Sequence, residues 1–201
     1  MNVCAPSSVL SLDTQHLRPD TNAMIPMFLG LTFANFIMLG TVFVLGVTAR
    51  DQSALSLHVL VAVGAGLMTT LAHCAVFTYF MGTTKWLGAA TDKGGLDEQQ
   101  FVEAPSGRKK RSLFIVMTAI MITMLTMFGG AATDTIAWWP AGVHMVLGIA
   151  TLVVNVVCAV LEYQLIRAQG GTMDKALEIL NATPGLRVET KQKNELQETT
   201  A

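Results

Sequence analysis

The chain has 201 residues, of which 52% are apolar and 13% charged, with a formal net charge of −1 and a mean hydropathy of +0.50. A soluble domain of this length carries about a quarter charged residues, so the composition excludes an ordinary soluble enzyme and indicates a membrane protein. The near-zero net charge averages over segments on opposite sides of a membrane, and no nucleic acid partner is expected.

The first segment, 1–23, has no basic region ahead of a short apolar stretch and no small-residue cleavage site, so it reads as a retained N-terminal segment rather than a cleaved signal. Four runs then meet the roughly 20-residue length of a membrane span: about 24–49, 55–84, 112–132 and 141–166. Only "RDQSA" separates the first two and only "TDTIAWWP" the last two, which makes two tight hairpins. The expected fold class is therefore all-α, an integral membrane four-helix bundle over 24–167, with Pro26 and Pro140 near helix starts and Trp86, Trp138 and Trp139 at interface depth. A long polar cytoplasmic loop, 85–111, joins the second and third spans. The tail, 168–201, starts as a short amphipathic helix with Met173, Ala176, Leu177 and Leu180 on one face and becomes polar after Pro184. No internal repeat stands out.

Positive charge sets the orientation. Lys85, Lys93, Arg108, Lys109, Lys110 and Arg111 lie in the middle loop, and Arg167 and Lys175 follow the last span, against Arg50 alone on the other side. The N- and C-termini and the middle loop are thus expected to be cytoplasmic, as in a bacterial inner membrane, with the basic end of the loop at anionic headgroups.

Cys4, Cys74 and Cys158 are too scattered for a disulfide framework or a paired-cysteine zinc motif and read as packing residues. No glycine-rich phosphate loop, HExxH helix or GxSxG elbow occurs, so no catalytic residues are assigned and an enzymatic activity of the chain alone is not expected. The chemistry rests on polar residues inside the spans, since an unpartnered imidazole in hydrocarbon is costly. His58 and His144 each stand three residues past a helix start on helices that run the same way, and so at matched depth near the outer face. His73 lies about 22 Å further along the second helix and only about 60° from the azimuth of His58. Between them Ala62, Gly64, Ala65, Gly66, Thr69 and Thr70 permit either close helix approach or room for something flat.

This layout resembles that of membrane b-type cytochromes, in which histidines on two facing helices hold stacked haems across the bilayer. The resemblance is topological and covers the second and fourth helices. It implies that His58 and His144 are the metal ligands of one haem b near the outer face. His73, the third candidate cofactor-binding residue, lacks a histidine partner, because Cys158 and Ala159 stand where one would fall.

Other readings of the same residues stay open. The histidines near helix ends can bond to water or headgroups, and His73 can bond to a threonine or a carbonyl of a neighbouring helix. Asn35, Asn155 and Glu162 can serve as interhelical glue, with Glu162 shallow enough to reach solvent, or mark a proton or quinone path. The stripe Met117, Met121 and Met124, with Met127 beside it, suits core packing better than copper binding. Three functions follow: an electron-transfer subunit working with quinone or a partner complex, a non-enzymatic accessory subunit, or a small transporter. In each the partners are the bilayer and other membrane subunits or further copies of the chain.

Overall fold

The computed structural model describes residues 21–49, 51–135 and 140–183. Cys4, Arg50, Trp138, Trp139 and the polar tail after Pro184 lie outside the described residues. Four helices follow one another: α1 (Thr21–Thr48), α2 (Gln52–Gly94), α3 (Ala104–Thr135) and α4 (Ala141–Ala182), with one π-helical turn, Gln99–Glu103, leading into α3. All four are long and apolar enough to cross a bilayer, as in a multi-pass membrane protein. Packed in sequence around the bundle, α1 meets α2, α2 meets α3, α3 meets α4 and α4 returns to α1, while α2 and α4 also touch across the diagonal.

Local chemistry explains the helix limits. Asp51 caps α2, its carboxylate accepting from the Ala54 N–H at 2.8 Å and the Ser53 hydroxyl at 2.7 Å. Gly95 ends α2 at φ 61°, a conformation that a side chain would disfavour, and its N–H bonds to the Thr91 carbonyl. Within the helices Thr41, Thr70, Thr78, Thr118 and Thr126 each donate to the carbonyl four residues back. That bond lets a hydroxyl sit in an apolar helix without an outside partner.

The helices overrun the spans read from the sequence. At 43 and 42 residues, α2 and α4 are each about 65 Å long, roughly twice the thickness of a bilayer core. The expected loop over 85–111 is thereby corrected. Residues 85–94 continue α2, 104–111 already belong to α3, and only 95–103 connect them. The expected separate tail helix is corrected too, because α4 runs unbroken to Ala182. Buried Met173, Ala176 and Leu180 pack with Trp86, Leu87, Ala90, Leu96 and Phe101 in a second apolar core beyond the spans. Trp86 is therefore buried inside protein. The physical reason is that Lys85, Lys93 and Lys175 can stand on the solvent side of an amphipathic extension whose other side is apolar.

Two ends can be distinguished. At the turn end, α1 passes to α2 and α3 to α4; the tail end holds the Gly95–Glu103 connection. The main core, built on Phe28, Val76, Phe80, Ile115 and Ile166, fills the tail-ward half of the spans. The turn end differs, since within 41–49, 51–64, 124–133 and 142–150 Gly129 alone is buried. Met117 and Met121 are half exposed on the outer surface of α3, while Met127 points inward to Gly66, where an added Cβ would meet its sulfur at 2.7 Å. Met38 likewise closes on Gly64. The small residues of α2 thus admit methionine tips from α1 and α3.

Candidate functional site

His58 and His144 are brought together at the turn end, across the α2–α4 diagonal. Their ring centres are 6.2 Å apart and the ring planes 78° apart. Each ring lies against a glycine of the preceding helix. A Cβ at Gly46 would approach His58 Cε1 to 2.9 Å, and a Cβ at Gly130 would approach His144 Cε1 to 2.9 Å. Neither imidazole could keep its place beside even an alanine. The His58 ring is also oriented, because Nδ1–H donates to the Val42 carbonyl at 3.1 Å. A carbonyl only accepts, so this bond fixes the tautomer and leaves the lone pair of His58 on Nε2.

His73 is not part of this pair. It sits deeper in the bundle, almost wholly buried, with both ring nitrogens engaged: Nδ1 stands 2.8 Å from Glu162 Oε1 and Nε2 3.2 Å from Asn155 Oδ1. The bonds around Asn155 decide the protons. Its amide nitrogen donates to the Thr151 carbonyl at 2.9 Å and to the Thr123 hydroxyl at 3.3 Å. The Thr123 hydroxyl spends its own proton on the Ala119 carbonyl. Asn155 must therefore present its oxygen to His73, and Nε2 must carry a hydrogen. One further proton lies on the line between Nδ1 and Oε1, giving either imidazolium with carboxylate or neutral imidazole with carboxylic acid.

Glu162 is fully buried, which corrects the expectation that it reaches solvent. It does lie near the edge of the exposed apolar belt, shortly after Val160, but α4 turns it inward to α2. Its Oε2 has no hydrogen-bond partner among the described residues. Cys158, one turn earlier, has its thiol 3.7 Å from the Ile115 carbonyl and is directed at α3 rather than at His73.

The polar contacts continue toward the turn end. The hydroxyls of Thr126 and Thr151 are 2.6 Å apart, and Thr69 donates to Asn35 Oδ1 at 2.8 Å. Toward the tail end the pair is closed off by Val76, Phe80 and Ile166, each without exposed surface. Beyond that apolar layer Gln169 donates to Thr83, and Arg108 holds Gln169 and Thr172 at 2.8 Å each.

The two hairpins are built alike. His58 lies on Gly46 in the first, and His144 on Gly130 in the second. Eleven residues after each histidine stands a polar residue, Thr69 or Asn155, bonded back to the hairpin's own first helix at Asn35 or Thr123. The sequence places His58 and His144 at matched depth and groups His73 with Asn155 and Glu162 only as the polar path a transporter would need, not as a bonded set, because nothing in an apolar run states which neighbour a face will meet. An apolar groove of about 570 Å³ lies between α1 and α2 beside Met24, Cys74 and Tyr79, and none of its lining residues belongs to the His73 network. No family model, curated protein or solved structure matches the chain.

Proposed function

We propose that this multi-pass membrane protein is an electron-transfer subunit that holds one b-type haem between His58 and His144, at an end of the bundle facing away from the cytoplasm. The observation that carries the reading is the 6.2 Å between the two ring centres. Two imidazoles bound through nitrogen to one metal, at about 2 Å on each side, have their ring centres about 6 Å apart. The tautomer of His58 agrees, since the Val42 carbonyl holds Nδ1–H and leaves Nε2 as the donor atom, the usual outer-shell arrangement of a metal-bound histidine. The packing agrees as well, because among the described residues the turn end has none of the large buried side chains that fill the other half. Haem there would supply one-electron chemistry, with quinone or a neighbouring redox subunit as the electron partner.

A second reading has its own support. The contacts Thr69–Asn35, His73–Glu162 and Thr126–Thr151 each tie two helices of the bundle together, as the polar residues of an accessory subunit would. A reduced-minus-oxidised visible spectrum of the purified full chain, produced with ample haem, separates the two. The haem reading expects a b-type α-band that is lost in both His58→Ala and His144→Ala. A featureless spectrum from folded protein leaves the accessory reading.

A further inference from the structure

The His73–Glu162 couple lies on the opposite side of the Thr126–Thr151 level from the histidine pair and has no part in holding a metal. We infer that it is an internal proton acceptor, whose affinity for a proton from water rises as one electron arrives between His58 and His144. This inference rests on the electron-transfer reading for its trigger and on the buried pair itself for its chemistry.

The proton count follows from the hydrogen bonds. In the resting pair, His73 Nε2–H is spent on Asn155 and one proton is shared between Nδ1 and Oε1, so the couple is neutral in total. All of its bonding capacity is used except at Oε2, a buried oxygen with no partner among the described residues. A buried polar atom left unsatisfied needs an explanation, and an oxygen that receives a proton or a water is one. When a second proton binds at Oε2, the shared proton settles on Nδ1 and the couple carries one positive charge. That charge partly offsets the electron arriving from a reduced partner carrier, and the uptake per electron is a fraction of one proton.

Few other charges interfere. α1 has no titratable residue between Thr21 and Thr48, and α3 has none between Arg111 and Asp134. On α2, Tyr79 interacts with Arg108 of α3; on α4, Cys158 turns its thiol to α3 and Arg167 lies over the Tyr163 ring. On α3, Arg108 is engaged by Gln169 and Thr172 beyond the apolar layer.

The size of the coupling follows from distance. His58 and His73 are about 22 Å apart along α2. At an effective dielectric constant of about 20, one electron then changes the proton affinity of the couple about fourfold. For a one-electron carrier a fourfold change is about 35 mV.

The test is a redox titration of the full chain in lipid nanodiscs from pH 5 to pH 9, with Glu162→Gln and His73→Gln beside the parent. The expected result is a parental midpoint that falls by about 35 mV in total as pH rises, and a flat midpoint in Glu162→Gln with its α-band intact. A flat parent, or a slope that survives in Glu162→Gln, overturns the inference. If the parent has no α-band, the electron-transfer reading has failed, and infrared pH titration examines the acceptor alone. A protonated-carboxyl band that titrates in the parent and is missing from Glu162→Gln supports the acceptor, and identical spectra overturn it.

Discussion

Replacing His73 by leucine removes the one hydrogen-bond partner that the Glu162 side chain has among the described residues and leaves a carboxyl group enclosed by apolar side chains, both of its oxygens then without a donor. Two effects compete in setting the cost. An interhelical hydrogen bond in a membrane protein is worth on average about 0.6 kcal/mol, whereas breaking a buried charged pair by removing one partner costs about 3–5 kcal/mol. The second should dominate, because Glu162 is fully buried and cannot turn to solvent. Protonation of the stranded carboxyl will relieve part of the penalty, so about 2–3 kcal/mol is expected for His73→Leu. Glu162→Leu should cost less, since a neutral imidazole keeps its bond to Asn155. The double variant, apolar at both positions, should be more stable than the sum of the single losses by about 2 kcal/mol. Unfolding by SDS titration in mixed micelles at neutral pH measures all four corners of the cycle. A coupling below about 0.5 kcal/mol would refute the reasoning, showing that the two side chains do not depend on each other in the folded bundle.

Further outcomes follow from other parts of the structure. Gly130→Val should displace the His144 ring, whose Cε1 is 2.9 Å from the Cβ position, and so weaken or abolish haem uptake while Gly142→Val, with open space at its Cβ, should not; the α-band amplitude per protein reports both. Met173→Ala in the second core should destabilise the tail-end extension by about 2–5 kcal/mol, seen as proteolytic cleavage near Gly95–Glu103 before the spans unfold. Met117→Leu and Met121→Leu, on the outer surface of α3, should shift stability by less than about 0.5 kcal/mol in the same SDS titration. The Asp51 carboxyl is held below the usual range by the Ser53 hydroxyl and the Ala54 N–H. Its capping contribution is therefore full above the ordinary carboxylate pKa and is lost as pH falls through the lower folded value. Accordingly, Asp51→Ala should destabilise at pH 7 and progressively less on acidification.

The existence of four helices was legible in the apolar runs because a bilayer leaves little else for such runs to form. Their ends were not. Trp86, Leu87 and Ala90 are spaced among Lys85, Asp92 and Lys93 in a stretch that reads as polar, and α2 continues through it because Met173, Ala176 and Leu180 lie opposite. The matched depth of His58 and His144 was readable because depth follows from counting residues along parallel helices. The orientation of Glu162 toward His73 was not readable, since it depends on how α4 is rotated in the bundle. The glycines that seat the imidazoles carried no signal either. Gly46 and Gly130 look like any small residues of an apolar helix until a ring is found where their side chains would be.

The likeness of the two hairpins has one further consequence, which concerns where the molecule acquires a direction. Superposing the halves by residue count makes His58 and His144 counterparts, and Thr69 and Asn155 likewise. Four positions later the halves part: His73 in the first corresponds to Ala159 in the second, and three positions beyond that Val76 corresponds to Glu162. A base on one half and an acid on the other thus replace what two-fold equivalence would have made a pair of like residues. A scaffold with a dyad along its axis cannot tell one of its diagonal helices from the other; where a base on one faces an acid on the other, it can. The histidine pair is then the ambidextrous end of the protein, and the base–acid step below it is where its handedness begins.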